Sequence, residues 1–349
     1  MNQQLSIHIV AWNSMRFLPD LLKSLSNQTY RDFNILVIDN GSTDGVEAFV
    51  REHYPEITIL RNARNLGFSG AHNQGIRYAL DHLDPSQYSE SFILVTNPDL
   101  ILPQTFLEML MKDVASQPSV GSFGGKLRRA FGENITDEAL QETVESDLID
   151  STGLRAHKNR TFTDRGAGEM DKAQYDESRE VFGISGALVL YRASALQDVR
   201  FEDEFFDEDF FAYKEDADLA WRLQKFGWDA RFVPDATAFH YRGMYAPEKL
   251  GIVAWFKNRR GKSKLRSYYS NRNHWLLLVK NLSFFDFLLA SVFIVPIEIG
   301  RFVYTLFFET QNARAFVDAV KLIPKMLKKR LWIRKHQKRT SKDLRKWFI

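Results

Sequence analysis

The chain has 349 residues, of which 44% are hydrophobic, and its 47 basic and 44 acidic side chains leave a net charge of +3. With a mean hydropathy of −0.31 it is long enough for one large α/β domain plus a smaller appendage, and too polar for a polytopic membrane protein. It contains no cysteine, which excludes disulfides and thiolate metal sites, so any metal must rest on oxygen and imidazole ligands.

The opening residues Met1-Asn2-Gln3-Gln4 lead straight into an apolar run, with no basic or long apolar leader, which predicts a cytosolic start without a signal peptide. Residues 5–11 read as a first strand, followed by helical spacing at Phe17, Leu21, Leu22 and Leu25. Residues 33–38 are a second buried strand, closed by the polar turn 39–45 and a helix over 46–53. Residues 57–60 form a third strand. A glycine-containing loop at 65–70 precedes a helix starting near His72, with Ile76 and Leu80 on one face, and 92–96 is a fourth strand. Strands alternating with helices predict a mostly parallel sheet of right-handed βαβ units.

Beyond residue 120 the pattern changes. Residues 126–179 are polar and charge-rich and read as irregular strands and loops, and strand character returns over 181–192. An amphipathic helix opens with Glu215, Asp216 and Asp218 and presents Leu219, Leu223 and Phe226 to a core. A strand at 230–232 and His240 follow, then an expected mobile loop at 243–264 carrying basic residues from Lys257 to Lys264.

Candidate ligand-binding groups lie where strands end, since ligands of open α/β sheets bind beyond the carboxyl ends of strands. The turn Ala11-Trp12-Asn13-Ser14 ends the first strand, although it equally suits a helix N-cap. Asp39 ends the second, where a carboxylate accepts the imide N–H of uracil or thymine, and Asn40-Gly41-Ser42 forms a tight turn there. Asn65-Leu66-Gly67-Phe68, with His72 and Asn73 just after, offers backbone N–H groups to a diphosphate at a helix N-terminus; a purely structural turn is the alternative. It follows the third strand and lacks the GxGxxG spacing, which argues against a nicotinamide enzyme. Asn97-Pro98-Asp99 brings one carboxylate to the sheet edge, with Pro98 fixing the turn. His240 reads either as a hydrogen-bonded structural histidine or as a ligand.

Together these motifs, in order and spacing, resemble an inverting family-2 glycosyltransferase of the GT-A type over about residues 5–245, most like the bacterial rhamnosyltransferases. The segments Asp150-Ser151-Thr152-Gly153, Arg165-Gly166-Ala167-Gly168-Glu169 and the glycines around Gly186 are similar to that subgroup as well, as is Asn271-Arg272-Asn273-His274. The resemblance implies a GT-A catalytic domain at 1–265, with a nucleotide-sugar half at about 1–120 and an acceptor and catalytic half at about 121–265. A helical, basic region at 266–349 follows. It implies a hexosyltransferase in cell-surface polysaccharide synthesis, with dTDP-rhamnose as the favoured donor and a UDP-hexose as the alternative. Asp216 is the implied general base, its crowded acidic neighbours and partial burial serving to tune it. Glu215 or Asp218 orients the acceptor or holds an arginine such as Arg222. Asp99 and His240 are the implied ligands of Mg²⁺ or Mn²⁺, Asn97 standing where the family's Asp-any-Asp motif has its first acid. Gly186, Trp221 and Arg222 fall on the acceptor side, and Arg242 with the Lys257–264 cluster is a candidate lid. The rival reading is a nucleotide-sugar-binding membrane partner without turnover.

The C-terminal part carries two membrane signals. The apolar run 284–308 is interrupted by Asp286, Glu298 and Arg301 and by Pro296, an expected kink, which predicts interfacial or re-entrant helices over a full span. Packing on the catalytic domain or on a homodimer partner is the alternative. Residues 325–349 carry eleven Lys/Arg and one acid, a local +10 against about −7 elsewhere, which suits an anionic membrane surface. A glycan or polyprenyl-linked acceptor at the cytoplasmic face of the inner membrane follows as the expected partner. Without a recognised nucleic-acid-binding module, nucleic acid does not.

Overall fold

A computed structural model describes residues 4–132, 143–241 and 264–349. At its centre β1 (Gln4–Ala11) is hydrogen-bonded in parallel to β2 (Phe33–Asp39) and to β4 (Ser91–Thr96), and β3 (Thr58–Arg61) lies parallel outside β2. The crossovers are α1 (Leu18–Ser26), α2 (Val46–His53) and α3 (Gly67–Asp81). Helix α1 buries Leu18, Leu21, Leu22 and Leu25, four apolar residues at helical spacing, against Ile7, Ile9 and Val37 of the sheet. All of β4 is buried, as its continuous apolar run requires of a strand covered on both faces.

The sheet is parallel only in this half. β5 (Leu100–Ile101) and α4 (Phe106–Val114) lead to β6 (Val120–Gly132), a thirteen-residue strand whose last part, from Lys126, falls in the stretch read from sequence as irregular strands and loops. Its glycines hid it: a Cβ at Gly124 would lie 2.3 Å from Ile184, and one at Gly125 2.1 Å from the Ala236 carbonyl oxygen. Lys126, also buried, is neutralised by Asp171 and Asp176. β7 (Thr143–Ser151) pairs with β6, and β8 (Leu154–Ala156) and β9 (Phe162–Asp164) form a separate hairpin. β10 (Glu180–Val181) is an edge strand, and β11 (Leu188–Arg192) runs antiparallel between β4 and β6. After α5 (Ala193–Asp198) and α6 (Glu215–Lys225), β12 (Asp229–Tyr241) closes the sheet, parallel to β6 and antiparallel to β5.

Three helices complete the fold: α7 (Lys264–Asn281), α8 (Phe284–Phe308) and α9 (Arg314–His336). They share a core with the catalytic half. Leu276 and Leu277 of α7, Ala290 and Ile294 of α8, and Met326 of α9 join Phe182, Phe210 and Trp221 in one cluster. Lys280 of α7 bonds Asp207 at 2.7 Å and Asp218 at 2.8 Å, and Lys329 of α9 bonds Asp207 at 2.6 Å, all four side chains being buried. The expected boundary at 265 therefore runs through continuous packing. Helix α8 continues through Pro296 and leaves Leu288, Val292, Phe307 and many other apolar side chains exposed. Among the described residues it is the one helix long and apolar enough to cross a membrane, by length and composition. The basic tail is engaged internally: Lys325, Lys328, Lys329, Lys338, Arg339, Arg345 and Lys346 pair with carboxylates elsewhere in the chain. The expected loop at 243–264, with Arg242 and the basic residues 257–263, lies outside the described residues, and Lys264 opens α7.

Candidate active site

The ends of β1, β2 and β3 are tied into one surface by side chains of their own turns. Asn13, with φ of 49°, accepts from the Thr43 N–H through its side-chain oxygen, while its own N–H donates to Ser42 Oγ at 3.0 Å. The carbonyl of Ala11 accepts from the Asn40 N–H at 2.8 Å, and Trp12 beside it is 53% exposed. Asp39 is buried. One carboxylate oxygen accepts from the Ser42 N–H at 2.8 Å, and the other, without a hydrogen bond, lies 3.8 Å from Arg61 Nε. Asn40 binds the next loop, donating to Asn65 Oδ1 and the Gly67 carbonyl and accepting from the Leu66 N–H. Glycine is required twice here: a Cβ at Gly41 would meet the Arg64 backbone at 2.9 Å, and one at Gly67 the Phe211 carbonyl oxygen at 2.4 Å, both at positive φ.

Helix α3 starts at Gly67, five residues before the expected His72, so His72 sits one turn before Ile76 and Leu80 on the face that was expected to be buried. His72 and Asn73 are fully buried. His72 packs against Phe68 and Phe206, and Asn73 accepts from the N–H groups of Phe205 and Phe206 and donates to the Phe206 carbonyl. Neither faces a diphosphate. Phe68 does reach the site, since a Cβ at Gly186 would lie 3.4 Å from its ring and 3.2 Å from Asp216 Cβ.

Asp216 stands at the opening of α6, half-buried, and one of its oxygens accepts from the Gly186 N–H at 3.1 Å. The next residue, Ala187, accepts at its carbonyl from the Asn97 N–H at the end of β4. This relay from β4 through β11's leading turn to α6 brings Asp99 and Asp216 to the same edge of the sheet. Three residues just before α6 hold left-handed backbones without being glycine: Phe211 (φ 63°), Tyr213 (φ 70°) and Lys214 (φ 70°). Such strain, of order 1–3 kcal/mol per residue, persists only where surroundings enforce it. Asn273 of α7 enforces it, donating to the carbonyls of Phe210, Ala212 and Tyr213 at 2.8, 2.9 and 2.8 Å.

The three acids of α6 have separate environments. Glu215 is buried, and desolvation, reinforced by the neighbouring Asp216 charge, pushes its carboxyl up to about 8. Asp218 is fully buried and bonds Arg222, Lys280 and Asn281; burial opposes its ionisation, yet Lys280 and Arg222 hold its carboxyl below the usual range. It thus secures Arg222, one of its two expected roles, and stands away from any acceptor. Arg222 itself also donates to the carbonyls of Val199 and Phe205. Trp221 is packed among Phe162, Phe182 and Phe348. Neither Trp221 nor Arg222 is placed to touch an acceptor.

The candidate metal ligands are brought together. Register between β5 and β12 places His240 opposite Leu100, so its Nε2 reaches Asp99 Oδ1 at 3.4 Å. Nδ1 lies 2.8 Å from Asp150, a partner the sequence did not disclose. With Asp150 on the far ring nitrogen, Nε2 would be the atom to hold a cation, whose binding would displace the proton there. Burial opposes charging His240, but Asp150 and Asp99 outweigh it and raise its pKa to about 9. Asp99 Oδ1 is buried without a hydrogen-bond partner. An oxygen and an imidazole nitrogen at this spacing fit a divalent cation that takes its remaining ligands from a diphosphate and water. Among the described residues no cluster of three or more such ligands exists.

A strand-end surface around a turn carboxylate, a second carboxylate paired with histidine, and an acid at a helix opening fit a glycosyltransferase of the GT-A fold. The model of glycosyl transferase family 2 matches residues 6–200, and the chain belongs to that family. That of glycosyl transferase family group 2 matches residues 153–314. The chain is 30% identical to N-acetylglucosaminyl-diphospho-decaprenol L-rhamnosyltransferase of Mycobacterium tuberculosis, over 69% of this chain and 77% of that protein. It is 26% identical to the rhamnosyltransferase WbbL of Escherichia coli, over 67% of this chain and 82% of that one. Its fold is shared with GalNAc-T7, solved with UDP, GalNAc and Mn²⁺, at a TM-score of 0.58 and 12% identity, over 90% of this chain and 55% of the other. The chain is thus a rhamnosyltransferase-like glycosyltransferase acting on a nucleotide sugar.

Proposed function

We propose that the chain transfers L-rhamnose from dTDP-rhamnose, with inversion, to a lipid-linked glycan acceptor in cell-surface polysaccharide synthesis. The observation that supports the chemistry is the hydrogen-bond relay from the Asn97 N–H to the Ala187 carbonyl and from the Gly186 N–H to the Asp216 carboxylate, which ties α6 to the turn that carries Asp99. Asp216 takes the proton of an acceptor hydroxyl as that oxygen bonds to the anomeric carbon, and the nucleoside diphosphate departs with the bonding pair. Attack from the side opposite the leaving group inverts the centre. A divalent cation, when bound, neutralises charge on the departing diphosphate. Asp99 and His240 are the residues that would hold it, and Asp39 faces the base. The donor and acceptor follow from likeness to the two rhamnosyltransferases, since the strand-end geometry alone suits any pyrimidine nucleotide sugar.

The test is turnover with dTDP-rhamnose against UDP-glucose and UDP-N-acetylglucosamine, each with Mg²⁺, with Mn²⁺ and after chelation, with product anomers read by NMR. The expected result is a metal-stimulated product of inverted configuration from dTDP-rhamnose. Faster transfer from a UDP-hexose would reassign the donor, and a retained anomer would exclude single displacement.

The same proposal places the protein on the cytoplasmic face of the inner membrane. With seven of the tail's basic residues paired internally, the exposed apolar side chains of α8 are the stronger term. Flotation with anionic liposomes should therefore resist high salt. Protein left wholly at the bottom of the gradient at low salt would remove the membrane from the proposal.

A further inference from the structure

The motif Asn271-Arg272-Asn273-His274 in α7 divides its bonds between two neighbours. Arg272 donates to the carbonyls of Asp209 and Phe210, and Asn273 to those of Phe210, Ala212 and Tyr213, all in the segment that leads into Glu215 and Asp216. Asn271 and His274 lie three positions apart, so they share the other side of the helix. That side meets α8. Asn271 donates to Thr305 Oγ1 at 3.4 Å, and His274 Nε2 lies 3.0 Å from Glu298 Oε1. The next residue, Trp275, donates from its indole N–H to Glu298 Oε2 at 2.9 Å.

Glu298 is out of character with its helix. Much of α8 is apolar and exposed, whereas Asp286, Ala290, Ile294, Glu298, Arg301 and Thr305, spaced by three or four, form one stripe turned inward. The Glu298 side chain is 15% exposed, and Arg301 pairs with it at 2.8 Å. Replacing such a charge by an apolar side chain is often neutral or stabilising, so adhesion alone does not explain it. A carboxylate between two ring N–H groups supplies direction instead. It fixes the planes of His274 and Trp275, and with them the rotation of α7 about its own axis. That rotation decides where the adjacent Asn273 amide points.

We propose that Glu298 is a positioning residue for the reaction. Acting through His274 and Trp275, it aims Asn273 at the left-handed residues before α6 and so holds Asp216 where it works. The proposal rests on Asp216 being the base, and it brings a residue of the apolar helix into turnover.

Glu298→Leu removes the bonds and keeps side-chain bulk. Lys280, further along α7, retains Asp207 and Asp218, so the helix stays docked. Amide hydrogen exchange, followed by mass spectrometry, should quicken by about tenfold over residues 211–217 and stay within about twofold over β1 and β2. With whichever donor the protein uses, kcat should fall about tenfold while the Kd for the nucleoside diphosphate and the acceptor KM each stay within about twofold. Added to Asn273→Ala, the substitution should cost less than about twofold more, since both act through one contact. Ile294→Ala, which thins the buried packing of the same helix, should lower stability yet leave kcat and exchange over 211–217 within about twofold. Unchanged exchange there in Glu298→Leu overturns the proposal. So does an equal loss of kcat in Ile294→Ala, or full additivity with Asn273→Ala. Should Glu298→Leu not fold, Glu298→Gln, which keeps one acceptor oxygen for two ring donors, is read by the same exchange and the same cycle. Exchange needs no substrate, so absence of transfer from dTDP-rhamnose would defeat the proposed function as a separate outcome.

Discussion

Replacing Asn273 by alanine tests whether α7 holds the catalytic loop in place. The Asn273 amide is fully buried and donates to three carbonyls within four residues, Phe210, Ala212 and Tyr213. Arg272 also donates to Phe210, so that carbonyl keeps a partner in the variant, whereas Ala212 and Tyr213 lose this donor. These two bonds are only part-buried, so each contributes about 0.5–1.5 kcal/mol and their loss destabilises by about 1–3 kcal/mol. Relaxation has a direction, because the left-handed residues Phe211, Tyr213 and Lys214 gain by leaving their strained conformations. They lead directly into Glu215 and Asp216, so the base moves with them. A displacement of about 1 Å at a reacting group lowers a rate by about 100-fold. The expected result is a kcat reduced by about 10- to 100-fold, with donor affinity within twofold because Asp39 and its turns are untouched. Urea unfolding followed by tryptophan fluorescence reads the stability, and steady-state transfer with calorimetric nucleotide binding reads the rest. Stability within 0.5 kcal/mol of the unsubstituted protein, with kcat within twofold, would refute the clamp.

Asp216→Asn keeps an acceptor oxygen for the Gly186 N–H but loses the base, so transfer should fall by about 10²–10⁴-fold with nucleotide binding retained; near-normal turnover would hand the role to Glu215. Glu215 keeps its proton in the folded state up to about pH 8, whereas the unfolded chain releases it near 4.5. Its contribution is full below that lower value and is lost as pH rises through the upper one, by roughly 3–5 kcal/mol in all. Glu215→Gln should therefore flatten the decline in stability between pH 5 and 8, and an unchanged slope in urea titrations would contradict it. Desolvation depresses both buried histidines, His8 to about 3 and His72 well below its usual 6.5, with the mutual repulsion of the pair adding to it at His72. Their contribution is present above about pH 6.5 and lost on acidification, and His72→Leu should reduce that acid loss in denaturant melts.

The first hundred residues were legible because their elements obey one periodicity each: buried apolar strands, helices with an apolar face such as Leu18, Leu21, Leu22 and Leu25 of α1, and polar turns at strand ends. Asp99 and His240 were legible as residue types, and register between β5 and β12 then joined them. Asp150 was not, since a carboxylate 90 positions from its histidine has no local signature. The burial of His72 follows from its place four residues before Ile76 on the apolar face, which the helix, beginning at Gly67, extends by one turn. β6 was missed because its glycines and buried charges answer to neighbours distant in sequence. The basic tail looked like a free polycation, as counting charges along the chain shows neither Asp209 nor Glu202 waiting across the fold.

The aromatic side chain of Phe348 packs on Phe162, Phe182 and Trp221 and carries the Arg160 guanidinium 3.9 Å from its ring centre. Phe162 belongs to β9 and Trp221 to α6, so one ring seats both elements. Parts of the fold that lie far apart in the sequence therefore depend on a single side chain, and trimming Phe348 to alanine would loosen β9 and α6 together.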